Sequence, residues 1–126
     1  LLLHLLCAVL IFAFARRLSL SHPATQSHAT GIAMLTMAAW LIHPLQLSGT
    51  LLVVQRMNLL STAFMLVGLL LYVHLVAHER ISARIRVTGA LAALGGFGAL
   101  AFLCKENGAL IFAYATACNL SLLDTR

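Results

Sequence analysis

The sequence predicts an all-α protein, a polytopic bundle of about five transmembrane helices in one partial membrane domain spanning residues 1–126. Three observations carry that expectation. First, 62% of the 126 residues are hydrophobic and 9% are charged, where a soluble domain carries about a quarter charged residues. A soluble core of this size cannot hide so much apolar side chain, so lipid is the expected solvent. Second, the apolar residues fall into five runs with the charges gathered between them. Third, no run alternates apolar and polar residues as a membrane strand would, so the backbone must satisfy its own polar groups as helices.

The first run, Leu1–Ala15, ends at Arg16-Arg17. The chain has no initiating Met and opens inside this run, so a fragment of a longer membrane protein is expected. No basic segment precedes the run, which argues against a secretory signal. "HLLC" makes a poor lipoprotein box, because the bulky Leu6 precedes Cys7. The polar stretch Ser19–Gly31 contains Pro23 and reads as a loop. The second run, about 30–42, ends at His43-Pro44, and the third, about 59–77, ends at His78, Glu79 and Arg80. Only the third approaches the roughly 20 residues that cross a bilayer comfortably. The fourth, about 87–103, ends at Lys105-Glu106, and the fifth, about 109–123, ends at Asp124 and Arg126. Within the fourth, the small pairs Gly89/Ala93, Ala92/Gly96 and Gly95/Ala99 stand four residues apart, which suits close helix packing in lipid. No strand precedes these glycines, so they do not form a phosphate loop.

Charge sets the expected topology. If each run crosses once, Arg16, Arg17, Arg80, Arg84 and Arg86 fall on one side, and Arg56 and Lys105 on the other. Positive residues concentrate in cytoplasmic loops, so Arg56 and Lys105 are expected on the outer face of an integral membrane protein. The net charge of +5 does not read as a nucleic-acid surface, since the arginines sit at run ends and no basic face interleaves with aromatics. Cys7, Cys104 and Cys118 are odd in number and lack metal-ligand spacing, which disfavours disulfides and zinc.

Two polar clusters fall on the outer side: His43, Pro44, Gln46, Gln55, Arg56 and Asn58, and then Lys105, Glu106 and Asn107. A guanidinium at the membrane surface suits bidentate contact with phosphate oxygens, and Lys105 adds a compact charge. Glu106 can pair with either cation, bind a divalent metal or position a hydroxyl. The plainer reading is that these charges only anchor helix ends at the interface. His74 and His78 share a helix face, but structural metal sites need about four ligands and Glu79 lies off that face. His4 and His43 read as histidines satisfied by local hydrogen bonds. Asp124 reads as an interface anchor, and Trp40 and Tyr72 as members of interfacial belts.

Taken together, "HPLQLSGTLLVVQRMNLLS" (His43–Ser61), "GLLLY" (Gly68–Tyr72), "LCKENGALIFAYATACNLSLLD" (Leu103–Asp124) and "LLLHLLCAVLIF" (Leu1–Phe12) resemble one family over nearly the whole chain. It is the polytopic glycosyltransferases of the GT-C fold, in the branch related to protein O-mannosyltransferases, whose members often carry tetratricopeptide repeats downstream. The resemblance implies transfer of a sugar from a polyprenyl-phosphate carrier to an acceptor hydroxyl, on protein or glycan, at the outer membrane face. Arg56 matches the family's QR arginine, Lys105 and Glu106 its KE pair, and His43-Pro44 its HP. Arg56 and Lys105 would then bind the lipid phosphate, with Glu106, His43, Gln55 and Asn107 in support. Leu47-Ser48 stands where many relatives carry Thr-Glu, and the QRM run fits a bacterial branch, hence a bacterial inner membrane. The family's catalytic acid lies in an outer loop that would precede Leu1, so these residues alone are expected to be inactive. No cofactor is assigned beyond a divalent metal at Glu106. The rival readings are a transporter or flippase segment, which needs polar residues at mid-membrane on broken helices, and a scaffold that only packs helices.

Overall fold

The computed structural model describes residues 1–43, 53–77 and 82–123. Five α-helices make up almost all of it, and no strand occurs among the described residues. They are α1 (Leu2–Ser21), α2 (Ala29–Ile42), α3 (Val53–Ala77), α4 (Ala83–Cys104) and α5 (Ile111–Leu123). Short 3₁₀ turns, Gln26–His28 and Glu106–Leu110, lead into α2 and α5.

The helices run further than the apolar runs. α1 continues through Arg16-Arg17 to Ser21, because arginine is a good helix former and its long side chain reaches water from within a helix. It stops where proline forbids more: His22, which precedes Pro23, is extended at φ −112, ψ 122. The loop expected over Ser19–Gly31 shrinks to a turn of four residues between α1 and the first 3₁₀ turn. There the Thr25 hydroxyl donates to the Ser19 carbonyl at 2.9 Å, taking up a helix-end acceptor that has no partner within the helix. α3 starts at Val53, which carries Gln55, Arg56 and Asn58 on a helix rather than in a loop, and α4 takes in Arg84 and Arg86.

Among the described residues, three helices are long and apolar enough to cross a bilayer, over Leu2–Ser21, Arg56–Ala77 and Ala83–Cys104. The two other described helices are shorter than these. α2 has 14 residues and α5 has 13, or roughly 20 Å each at 1.5 Å per residue. α2 ends at His43, extended ahead of Pro44, and the stretch before α5 is wound as a 3₁₀ turn. Within the three long spans only 22%, 33% and 22% of the residues are buried. Leu91, Leu103, Leu35 and Leu120 are each more than half exposed. Apolar surface of that extent on helices of spanning length points to a membrane protein. Thr36, Thr62 and Thr88 each donate to the carbonyl four residues earlier, at 2.8 Å, which gives those three donors a partner within their own helices.

Side-chain contacts set the helix directions. The Cys7 thiol donates to the Leu59 carbonyl and the Arg17 guanidinium meets the His74 ring, so α1 and α3 are parallel. The Ser61 hydroxyl donates to the Ala101 carbonyl at 2.9 Å, and Leu75 lies against Gly89, so α3 and α4 are antiparallel. α5 runs back beside α3. Its first residue, Ile111, is fully buried in a notch where a Cβ on Gly68 would stand 2.9 Å from Ile111 Cδ1 and one on Gly98 would stand 3.1 Å from Ile111 Cγ2.

The core lies between α3, α4 and α5, around Leu69, Tyr72, Val73, Ala90, Leu94, Ile111, Ala115 and Cys118. Tyr72 is thus a core residue and not an interfacial one. Of the small pairs on α4, Gly89/Ala93 lies in the contact with α3, Gly89 against Leu75 and Ala93 beside Gly68, and the other two do not. Ala92, Gly95, Gly96 and Ala99 are exposed, and a Cβ on Gly95 or Gly96 would meet nothing within 4 Å. The packing face is Ala90, Leu94, Gly98 and Ala101.

Candidate functional site

The directions just described give the bundle two unlike ends. Arg16, Arg17, His74, Arg84 and Arg86 lie at one, the arginine end. At the other, the Lys105 end, stand the starts of α1 and α3 and the finishes of α2 and α4. Arg56 and Lys105 therefore share an end. Ser61 and Ala101 are level through their hydrogen bond. Arg56 is five residues before Ser61 and Lys105 four after Ala101, so both rise about 6–8 Å above that level at helical spacing.

They do not share a direction. Five residues correspond to about 140° around a helix. With Ser61 aimed at α4, Arg56 is turned well away from that contact, over the flank of α3 that also carries His74. Arg56 is exposed, Lys105 half-buried, and Glu106 and Asn107 exposed. None of the charged three has a salt-bridge partner among the described residues.

Lys105 is held by its backbone. It is the extended cap of α4, its N–H donates to the Ala101 carbonyl at 3.0 Å, and its carbonyl accepts from the Gly108 N–H at 2.9 Å. Glu106 opens the 3₁₀ turn that follows. Gly108 is buried and rests directly on α4. A Cβ there would overlap the backbone of Ala101 and Phe102, so only glycine lets the turn fold back so closely. The ammonium and the Glu106 carboxylate thus project from a rigid corner.

Of the other expected supporting groups, His43 is the exposed cap of α2. Gln55 lies in the first turn of α3. Pro44, Gln46, Leu47, Ser48, His78, Glu79, Arg80, Asp124 and Arg126 lie outside the described residues. His74, weighed with His78 as a metal pair, meets Arg17. Among the described residues no three His, Cys, Asp or Glu side chains come together around a possible ion.

Sequence reasoning missed a second polar feature at the same end. His4 is buried, stacked on Trp40 with ring centroids 6.2 Å apart and planes 22° apart. Its Nδ1 has no hydrogen-bond partner among the described residues, and neither has the Trp40 indole nitrogen. His4 is therefore not satisfied by a local hydrogen bond, and Trp40 is turned inward rather than to an interfacial belt. Three residues before Cys7 on α1 and three before His43 on α2, these two rings carried no spacing signal, because their pairing depends on how α1 meets α2. Beneath them an apolar groove of about 450 Å³ runs between α1, α3 and α5, walled by Ile11, Phe14, Trp40, Met65, Leu66 and Tyr114.

What this end can do chemically is limited and definite. It offers one exposed guanidinium on the His74 flank of α3, one ammonium and one exposed carboxylate at the α4 corner, and, further from the end, a largely apolar groove. No known protein family, no curated protein and no solved structure matches the chain.

Proposed function

We propose that the chain forms part of a polytopic membrane glycosyltransferase of the GT-C type, related to protein O-mannosyltransferases, working from a polyprenyl-phosphate sugar on the non-cytoplasmic face. The observation that supports this most is the common end shared by Arg56 and Lys105, opposite Arg16, Arg17, Arg84 and Arg86. The excess of arginine at one end is the bias that marks a cytoplasmic side, and the sparse cations then emerge on the other.

In this reading the acceptor hydroxyl attacks the sugar's anomeric carbon with inversion. A new glycosidic bond forms, the bond from that carbon to the phosphate oxygen breaks, and the hydroxyl proton passes to a carboxylate outside these residues. Arg56 and Lys105 stabilise the charge that grows on the departing phosphate, a preorganised electrostatic role. Glu106 steadies Lys105 or holds a divalent metal, and His43, Gln55 and Asn107 have supporting roles. The groove under Trp40 receives the start of the prenyl chain. The test is transfer of radiolabelled sugar from a polyprenyl-phosphate donor by the full-length protein. Arg56→Ala should lower turnover by about 10²–10³, the size of losing one transition-state donor. Unchanged turnover removes Arg56 from the reaction.

A second reading, a helix-packing scaffold whose end charges only anchor it at the interface, draws on the angle of about 140° between Arg56 and the α4 contact. It requires that neutralising Arg56 and Lys105 together leave function intact. The transporter reading has less behind it, since α3 and α4 are each continuous where such sites use broken helices.

A further inference from the structure

At the arginine end, α1 and α3 enclose a cleft of about 540 Å³ that the proposed transfer reaction does not use. Its lining is layered. Phe12 on α1 and Leu70 and Leu71 on α3 form apolar walls, and one turn nearer the helix ends come Arg16, Arg17 and His74. The layering follows from sequence spacing. Phe12 and Arg16 are four residues apart, as are Leu70 and His74, so each pair shares a helix face with the polar member outermost. Because α1 and α3 are parallel, the two polar members fall at the same level, where the Arg17 guanidinium meets the Nδ1 of His74. That contact uses one N–H of Arg17 and leaves further donors for a ligand. Arg17 is half-buried and Arg16 exposed, so one charge is held in the cleft and the other guards its mouth.

From this arrangement we propose that the cleft binds an anionic glycerophospholipid, its phosphate held by Arg17 and Arg16 beside His74 and its acyl chains laid against Phe12, Leu70 and Leu71. Charge complementarity selects the head: guanidinium forks match phosphate oxygens in pairs. Depth selects a lipid over a soluble anion. Arg17 sits four residues, about 6 Å, inside the end of a 20-residue spanning helix, which is headgroup level. The walls below it are apolar, and Leu71 and Leu20 are each 40% exposed, so the cleft is continuous with the lipid-facing surface. The assignment needs only that α1 and α3 lie in a bilayer and is independent of glycosyl transfer.

The test uses the full-length protein purified in a mild non-ionic detergent. Equimolar phosphatidylglycerol and phosphatidylcholine are added, and retained lipids are counted by native mass spectrometry. The wild type should keep one phosphatidylglycerol in preference to phosphatidylcholine. Each arginine near a charged lipid surface contributes about fivefold, so Arg16→Gln with Arg17→Gln should cut retention about 25-fold. Leu71→Trp, which fills the cleft and leaves its charges, should abolish the preference, with a thermal melt confirming that this variant is folded. Arg84→Gln, at the same end but outside the cleft, should bind like the wild type. Retention that survives loss of both arginines overturns the proposal. So does an equal loss in Arg84→Gln, which would mean diffuse surface charge. Displacement of the lipid by millimolar inorganic phosphate would assign the arginines to a soluble anion and would also overturn it.

Discussion

The two ends of the bundle hold their cations by different means. At the arginine end the side chains do the holding: Arg17 is half-buried over apolar walls and its guanidinium rests on His74 of a neighbouring helix. At the Lys105 end the backbone does it. Lys105 is pinned through its N–H and its carbonyl, and Gly108 locks the corner against α4 while the charged groups of Lys105 and Glu106 lie beyond it. A cation resting on a neighbouring side chain has one donor already used and a narrowed range of positions. A cation on a rigid backbone, with no ion-pair partner among the described residues, keeps its field for something that arrives. That contrast is why the Lys105 end is the better candidate for chemistry and the arginine end for a resident lipid.

The comparison breaks most visibly if the ends prove interchangeable in function. Arg56→Ala should cost about 10²–10³ in sugar transfer, while Arg84→Ala at the opposite end should stay within about twofold, because Arg84 is exposed on the first turn of α4. Equal losses from the two substitutions, in matched initial rates on polyprenyl-phosphate sugar, would show that positive charge matters only for insertion or folding.

Next in size is the corner itself. Gly108→Val drives a branched side chain into the Ala101 and Phe102 backbone, and neither helix end can yield cheaply. A loss of about 3 kcal/mol or more is expected, read as a large fall in the thermal midpoint in detergent. The partner experiment is Gly95→Ala, at an open position on the outer face of the same helix. There the gain in helix propensity should stabilise by up to about 1 kcal/mol. If the two glycines respond alike, the corner is not rigid and the contrast between the ends fails.

This pair also marks how far the sequence could be read. Apolar runs and the charges that punctuate them were enough to place helices and to put Arg56 and Lys105 at one end, since both follow from counting crossings. Pro23 and Pro44 announced where α1 and α2 must stop. The inner face of α4 was not legible. Residues four apart line up on every face of a helix, so Ala92/Gly96 and Gly95/Ala99 looked as good as Ala90, Leu94 and Gly98, and only the arrival of Ile111 from a later helix distinguishes them. The helical course of Arg16-Arg17 was hidden for a related reason. Charge marks where a helix meets water, and a long side chain lets that point lie inside the helix rather than at its end. Arg56's turn away from α4 came from the same source: a loop was expected where α3 has already begun.

Ile111→Ala offers a smaller test. The side chain is fully buried between Gly68 and Gly98, and removing it leaves a void beside two residues that have no side chain to fill it. A loss of about 2–3 kcal/mol is expected, toward the low side for an aliphatic truncation because lipid supplies no hydrophobic drive. Since α5 begins at this residue, the same variant should loosen the 3₁₀ turn ahead of it. Faster hydrogen exchange at Glu106–Leu110, with the Arg17–His74 region unchanged, would tie the Lys105 corner to the α5 notch. Uniform protection at both ends would separate them.

The smallest effect tests the level from which both cations were measured. The Ser61 hydroxyl donates to the Ala101 carbonyl between α3 and α4, and a hydrogen bond between membrane helices contributes about 0.6 kcal/mol on average and up to about 1.7. Ser61 is buried, and its replacement deletes the bond between the helices while the Ala101 carbonyl keeps the Lys105 N–H, so Ser61→Ala should cost about 1 kcal/mol. Thr88→Val removes a hydroxyl that serves only its own helix at an exposed position, and its effect should stay within about 0.5 kcal/mol. The pair separates a bond that sets the register between two helices from one that only closes a local donor. Should both substitutions prove neutral, the α3–α4 register has another source, and the common height of Arg56 and Lys105 must be established by cross-linking cysteines placed at those two positions.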